Sequence, residues 1–363
     1  MRERPSLMII SQDQFGYLTD TFKYCRYLQS DFQITYVGWD YGLPGIPSEG
    51  VACVHFSRDG GKVKRYVSFL RESLAIIRRQ PADAVIFVEY FPLCALLALF
   101  GGHRGRMVMD IRTGYVRRGG IVRAVFNGLL TLEALCFRHV TVISDSLRRF
   151  LSLPERSAHI VPLGADAVQV ADKEFSRLRL FYVGSLENRS IDKTVRGLEL
   201  FMSRHPDAPI EGYDIVGFGP ADEEERLRTA MREAVHVRDI VFHGRIPSTQ
   251  LGPFLSSCNV GVAFIPGDKH YQVQPATKIF EYLLAGMVVI ATQTYENTRV
   301  IDDSNGVLTD DTAEGFSAGL EKLMEKRMSF KSPAIKDGIG EYAWQRIVAE
   351  NLLPYLTGLL RQS

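Results

Sequence analysis

The 363-residue chain has little of what staples or anchors a fold. Its five cysteines (Cys25, Cys53, Cys94, Cys136 and Cys258) contain no Cys-x-x-Cys pair. That excludes the usual zinc spacing and a disulfide framework, so they read as small buried hydrophobes of a reducing compartment. Long apolar runs are missing too. The most membrane-like stretch, Phe91–Phe100, is ten residues long, where a spanning helix needs about 20. The N-terminus passes from a short charged leader into an apolar strand too brief for a signal-peptide core. A cytoplasmic protein is expected. The chain lacks His-Glu-x-x-His, a phosphate-binding Gly-x-x-x-x-Gly-Lys loop and a Gly-x-Ser-x-Gly elbow, which removes support for zinc proteolysis, P-loop hydrolysis and serine hydrolysis. The eight histidines show no ligand spacing, so no metal site is expected.

What is present is ordinary globular composition, 46% hydrophobic and 23% charged, in a chain too long for one typical domain. The net charge of +1 hides an asymmetry. Residues 1–165 carry 21 Lys+Arg against 14 Asp+Glu, a net of +7, and residues 166–363 carry 22 against 28, a net of −6. Charge segregated by half is either chance among solvated surfaces or the sign of two domains with different partners.

Short β-branched runs alternate with segments of helical period. Strands are expected at 7–10, 34–37, 51–56, 84–88, 107–111, 140–143 and 160–161, and again at 178–183, 213–216, 240–242, 260–264, 288–291 and 307–308. Helices fit between them, the last over about 341–360 as one element. Such alternation predicts parallel sheets covered on both faces. The pattern restarts after residues 164–173, so two doubly wound α/β domains are expected, 1–165 and 174–340. Open parallel sheets bind ligands beyond the carboxyl ends of their strands, which directs the search to the loops there.

Five loops stand out. In Tyr271–Thr292 (YQVQPATKIFEYLLAGMVVIAT) Pro275 is expected as the first helical residue and Gly286 as the stop. The free N–H groups of that helix start suit a phosphate, to which Thr277 could add a hydroxyl. Lys278 adds a cation, and Glu281 is placed to accept two ribose hydroxyls; the alternative is a core helix with a solvated Lys–Glu pair. In Val183–Asp192 (VGSLENRSID) the chain turns at Gly184, and either Arg189 or Lys193 can neutralise a diphosphate. Ile215–Pro220 (IVGFGP) holds Gly217 in an incomplete dinucleotide fingerprint. Gly16, after the first strand, either admits a phosphate or sugar or is a plain turn glycine. Asp110 and Arg112 close the fifth strand as a reachable acid and base, or as a cap with a surface arginine.

Together these stretches resemble glycosyltransferase family 4, the retaining nucleotide-sugar transferases of the two-domain GT-B fold. PATKIFEYLLAGMVVIAT is similar to that family's donor signature, FYVGSLENRSID to its phosphate loop, and YDIVGFGP to the next glycine turn. FHGRIPSTQLGPFLSSCNVGVAFIP, HVTVISDSLRRFL, HIVPLGAD and YAWQRI follow in the expected order. The resemblance implies two Rossmann-like domains, an acceptor domain completed by a C-terminal helix at 341–363 and a donor domain at 174–340. It implies Glu281 on the ribose, Arg189 (with Lys193 as fallback) on the diphosphate, Ala276 and Thr277 along the phosphate, and Gly217 and Arg245 near the nucleotide. Two positions depart from the family. Val273 stands where a glutamate often touches the donor sugar, shifting that contact to Asp268 or to backbone amides around 272–274. Ser185 replaces a frequent arginine.

The implied activity is metal-independent transfer of a sugar from a nucleoside diphosphate sugar, UDP or GDP type, to an acceptor hydroxyl. No cofactor is expected. Arg189, Lys278 and the helix end would stabilise the leaving diphosphate, which itself takes the acceptor proton, while Asp110 and Arg112 orient a substrate. Arg104, Arg106, Arg117, Arg118 and Arg123 suggest a lipid-linked or glycan acceptor of surface polysaccharide synthesis and peripheral contact with an anionic membrane face. Nucleic acid is not an expected partner. A non-catalytic nucleotide-binding subunit and a sugar-nucleotide epimerase are the alternatives.

Overall fold

The computed structural model describes residues 4–47, 49–115, 120–237, 239–267 and 271–361. It divides into two compact units, residues 1–163 with 344–363, and residues 164–343.

The first unit holds a seven-stranded parallel sheet, β1 (Ser6–Ile10), β2 (Gln33–Trp39), β3 (Val51–Phe56), β4 (Val85–Glu89), β5 (Met107–Ile111), β6 (His139–Val142) and β7 (Ala158–Ile160), in the order β3-β2-β1-β4-β5-β6-β7. The central strands are buried on both faces, which is why they read as unbroken apolar runs. The strand order reverses its progression between β1 and β4, so the topological switch lies there. The core under β1 and β2 is completed from the far end of the chain. Trp344, Ile347, Val348, Leu352, Leu356 and Leu359 pack with Leu7, Tyr24, Leu28 and Phe87, and Trp344 lies edge-on to Tyr24. The single C-terminal helix expected over 341–360 is broken. Trp344–Ile347 is α, Val348–Leu352 is a π turn and Leu353–Arg361 is α again. Pro354 supplies the reason, since it has no N–H for the carbonyl four residues back and the helix absorbs the loss locally.

The second unit holds a six-stranded parallel sheet, β8 (Leu178–Ser185), β9 (Ile210–Phe218), β10 (Ile240–Gly244), β11 (Val260–Ala263), β12 (Val288–Thr292) and β13 (Gly306–Thr309), in the order β10-β9-β8-β11-β12-β13. Its switch lies between β8 and β11. The short helix Gly252–Ser257 falls where the resemblance implies one between two strands, whereas Ser332–Gly338 is unexpected because it is under two turns and carries no full amphipathic period.

At this switch the strands part. β8 and β9 stay paired as far as Ser185 and Phe218, whereas β8 and β11 pair only at Leu180–Val260 and Phe181–Gly261. The Tyr282 hydroxyl fills the gap, accepting from the Val183 N–H at 3.0 Å and donating to the Val262 carbonyl at 3.4 Å. Its ring lies flat on Gly261, where a Cβ would come within 2.2 Å of ring carbon. Tyr282→Phe leaves the Val183 N–H buried without an acceptor, a cost of about 1–3 kcal/mol. Urea denaturation monitored by circular dichroism is expected to give that loss; an unchanged midpoint would mean the hydroxyl bridge carries nothing.

Candidate functional site

The second unit's site is built on the helix that carries Tyr282. Residues Thr277–Leu284 are helical because Ile279, Phe280, Leu283 and Leu284 supply a buried stripe. The helix stops in a Schellman turn. Gly286, with φ +73°, donates to the Leu283 carbonyl and Met287 donates to the Tyr282 carbonyl. A Cβ at Gly286 would also strike the Ser332 hydroxyl. At the other end Ala276 is the N-cap, extended and without a side-chain cap. Pro275 therefore lies one residue outside the helix, not at its first position as expected; the short helical turn at Tyr271–Val273 and the extended stretch after it delay the start. The Ile279 N–H bonds the Ala276 carbonyl, while Thr277 and Lys278, at the first two positions, have no intrahelical acceptor. This end is a donor-rich, positive terminus.

Lys278 and Glu281 project from the first turn. The Lys278 ammonium lies against Gly184, where a Cβ would come within 2.3 Å of Nζ, and 4.5 Å above the Tyr182 ring. Gly184 itself has φ +152°. Both the backbone and the lysine require glycine at this turn. Burial, and secondarily the nearby Arg189, push Lys278 down to about 8, against the opposing pull of Glu281. Glu281 is half-buried. Burial raises its pKa, Lys278 lowers it and Asp166 raises it again. Among the described residues no side chain donates a hydrogen bond to Glu281, so its carboxylate oxygens are available to hydroxyls.

Arg189 is half-buried in the loop after β8. Asn188 and Ser190, on either side of it, take φ +54° and +51°. Two non-glycine residues in the left-handed region, one residue apart, are costly and persist only where the surroundings impose them. Here the Arg189 N–H bonds the Leu186 carbonyl and the Asn188 N–H bonds Glu223. The loop thus holds Arg189 near enough to Lys278 to depress its pKa. Lys193 is used elsewhere: its ammonium donates to the Asp311 carbonyl at 2.8 Å.

The glycines of the neighbouring turn serve packing. A Cβ at Gly217 would meet the Gly184 carbonyl at 2.3 Å, and one at Gly219 would meet Leu186. Gly217 is thereby explained by the close approach of β8 and β9, a role the sequence reading did not assign. The residue after it, Phe218, is exposed, and the Arg245 guanidinium stacks 4.6 Å from its ring. Gln272, from the turn expected to meet the donor sugar, accepts from the Tyr295 N–H and donates to the Gly267 carbonyl. Asp268 lies outside the described residues.

In the first unit two expectations change. Asp110 is fully buried and Arg112 keeps 7% of its side-chain surface. Asp110 accepts from the Thr141 hydroxyl at 2.6 Å. Arg112 turns inward, donating to Asp20 at 2.6 Å and to the Val161 carbonyl at 3.1 Å, with Asp110 at 3.8 Å. Neither is the reachable acid or base expected from its position at a strand end. The reason is register: Asp110 stands between Glu89 and Thr141 on the flanking strands, inside the sheet rather than beyond it. Gly16 has φ +88°, and its missing side chain makes room for Ile46, whose Cδ1 would lie 2.4 Å from a Cβ. That space is filled by protein, not open to a ligand.

The reading also missed Glu89. It ends β4 at the switch, half-buried, and accepts from the Ser11 hydroxyl at the end of β1. Burial raises its pKa to about 8, with Asp13, Asp110 and Asp20 adding to the rise and Ser11 opposing it. A lone glutamate ending an apolar strand was the available signal.

A model of the glycosyl transferases group 1 family matches residues 177–326. No curated protein sequence matches the chain. Among solved structures, the Anabaena protein HepE in complex with UDP and glucose aligns at TM-score 0.74 and 10% identity, covering 98% of this chain and 100% of that one. A glycosyltransferase from Rickettsia africae aligns at 0.72 and 9%, covering 99% and 100%. The lipopolysaccharide outer core galactosyltransferase WaaB aligns at 0.69 and 10%, covering 96% and 99%. At such identities these likenesses establish the fold, two Rossmann-like units of the GT-B type, and the family match falls on the unit that holds Lys278, Glu281 and Arg189. Residues 177–326, within the second unit, are thus similar to the glycosyl transferases group 1 family, on a chain whose fold is that of GT-B proteins.

Proposed function

We propose that the protein transfers a sugar, with retained anomeric configuration, from a nucleoside diphosphate sugar to a hydroxyl of a lipid-linked or glycan acceptor in surface polysaccharide synthesis. The observation that carries the donor half is the Lys278 ammonium lying against Gly184 at an uncapped helix end, with Arg189 near enough to act on it electrostatically and the Glu281 carboxylate one turn along the same helix. A diphosphate leaving group gains charge as the glycosidic bond breaks. Two cations and a helix end held in place before the reaction stabilise that charge without reorganisation. Glu281 then suits a ribose diol, and Arg245 on Phe218 offers a flat surface near the nucleotide. Retention, with the leaving phosphate accepting the acceptor proton, follows the resemblance to family 4, and no divalent ion is required. UDP is the first donor nucleotide to try, because the similar HepE binds it.

Two substitutions test this. Glu281→Ala removes two charge-assisted hydrogen bonds, each worth about 1.5–3 kcal/mol, and Arg189→Ala removes one cation. Each is expected to lower kcat/KM for the donor at least about 100-fold; wild-type turnover in both ends the assignment. A pH series is the second measurement. Lys278 is charged below about 8 and neutral above it, so UDP affinity by calorimetry falls as pH rises from 7 to 9. The same series on Lys278→Met should be flat and weak, and a wild-type affinity that rises with pH contradicts the lysine's role.

For the acceptor half, the support is the helix Gly120–Ala134 and the turn after it. Ile121, Val125, Leu132 and Leu135 are 83%, 63%, 64% and 61% exposed. With Gly128 they form one helical stripe, a large apolar surface of the kind that marks an interaction site. Arg104 and Arg138 are exposed and line a shallow pocket with Leu135. Arg106 is bound to the Ala82 carbonyl, Arg123 is half-buried, and Arg117 and Arg118 lie outside the described residues. Among the described residues no helix is long and apolar enough to cross a membrane, and an apolar stripe beside arginines suits peripheral docking on anionic lipid at the inner face of the cell membrane. Val125→Asp with Leu132→Asp is expected to weaken sedimentation with phosphatidylglycerol vesicles at least tenfold; equal binding of variant and wild type counts against the stripe.

A further inference from the structure

The carboxyl ends of four adjacent strands in the first unit carry a polar row. Register sets Glu89 (β4) beside Asp110 (β5) and Asp110 beside Thr141 (β6), and Ser11 follows Ile10 of β1, which pairs with Val88. Residues in register on neighbouring parallel strands point to the same face. The hydroxyls at the two ends of the row donate inward, Ser11 to Glu89 and Thr141 to Asp110. Ser11 is in turn fixed by the Asp13 N–H, which donates to its oxygen at 3.1 Å. Asp13 is half-buried in the same turn, and burial raises its pKa.

The row is graded. Ser11, Asp110 and Thr141 are fully buried, while Glu89 and Asp13 keep accessible surface. These two carboxyls therefore present the row to the crevice at the β1–β4 switch, the place where an open parallel sheet takes its ligand. The nearby cation, Arg112, is committed to Asp20, Asp110 and the Val161 carbonyl. Two carboxyls in front of an arginine whose one unpartnered nitrogen, Nη2, is itself buried disfavour an anion. They suit a diol, which a carboxyl group can grip through two hydroxyls.

We propose that Glu89 and Asp13, oriented by Ser11, bind the uncharged, hydroxyl-bearing end of the acceptor, a sugar ring with no phosphate at this point. This rests on reading the first unit as the acceptor side of the transferase. Burial first, and then Asp13, Asp110 and Asp20, raise the Glu89 pKa to about 8, which favours the protonated carboxyl at neutral pH. It can then donate to one hydroxyl while accepting from another. Any basic attraction for a lipid diphosphate must come from elsewhere on the unit, so the acceptor's reacting sugar and its phosphate are recognised by separate groups.

The test uses the full-length protein, a panel of methyl glycosides and glucose 1-phosphate, with saturation-transfer NMR reading sugar binding and calorimetry reading UDP binding. At least one methyl glycoside is expected to bind, at least tenfold more weakly to Glu89→Ala and to Ser11→Ala, with UDP affinity within twofold of wild type, whereas the control Glu89→Gln, which keeps a donor and an acceptor, binds it within threefold of wild type. Glucose 1-phosphate should bind no better than the matching glycoside. The proposal is overturned if no methyl glycoside binds, if the phosphate analogue binds more tightly, or if both alanine variants keep wild-type glycoside affinity. Thermal melting of each variant identifies a folding defect, and the isosteric Glu89→Gln guards against one. Failure of UDP to bind the wild type would instead undo the glycosyltransferase donor reading, a different result from failure at Glu89.

Discussion

One phenol holds the candidate donor site in place. Beyond Phe181 the strands β8 and β11 diverge, and such divergence opens a crevice at a topological switch. It also exposes backbone groups that have lost their ladder partners. The Tyr282 hydroxyl satisfies one on each strand, so the helix carrying it is fixed in rotation and height against the sheet. Lys278 and Glu281 lie one turn and one residue before that anchor on the same short helix. Their positions relative to Gly184 follow from where the tyrosine binds. The packing of its ring on Gly261 and the stop at Gly286 leave the helix no room to slide.

The two switch points differ in chemistry, and each runs against the charge of the sequence half around it. The half with net +7 offers Glu89 and Asp13 at its switch; the half with net −6 offers Lys278 and Arg189. Net charge averages over solvated surface, whereas a crevice is governed by the few groups within reach and by how far water is excluded from them. Burial is the largest cause that moves Lys278 down and Glu89 up, with neighbouring charges adding to each.

Much of this was legible in the sequence, because parallel sheets write themselves as repeated apolar runs. β3 and β5 occupy the expected residues, and the alternation identified both doubly wound sheets. The helix Thr277–Leu284 was legible through Gly286 and its apolar spacing, apart from a start displaced past Pro275. Side-chain direction was not legible. Asp110 and Arg112 sit at a strand end where a ligand is expected, yet cross-strand register draws the first into the sheet and Asp20 draws the second after it. Gly16 and Gly217 look like ligand-facing glycines, but the space beside them is taken by Ile46 and by the Gly184 carbonyl. Glycine at a turn signals close approach without naming what approaches.

The first unit is discontinuous, and this orders its assembly in time. Its core closes only when Trp344, Leu352, Leu356 and Leu359 arrive to cover Tyr24, Leu28 and Phe87. During synthesis those residues leave the ribosome after the whole of the second unit, whose strands and helices are contiguous from residue 164 to 343. The unit made first must therefore finish folding last. Until then it waits with an open apolar seam along β1 and β2, which makes the nascent chain a natural client for chaperones even though each finished sheet is regular.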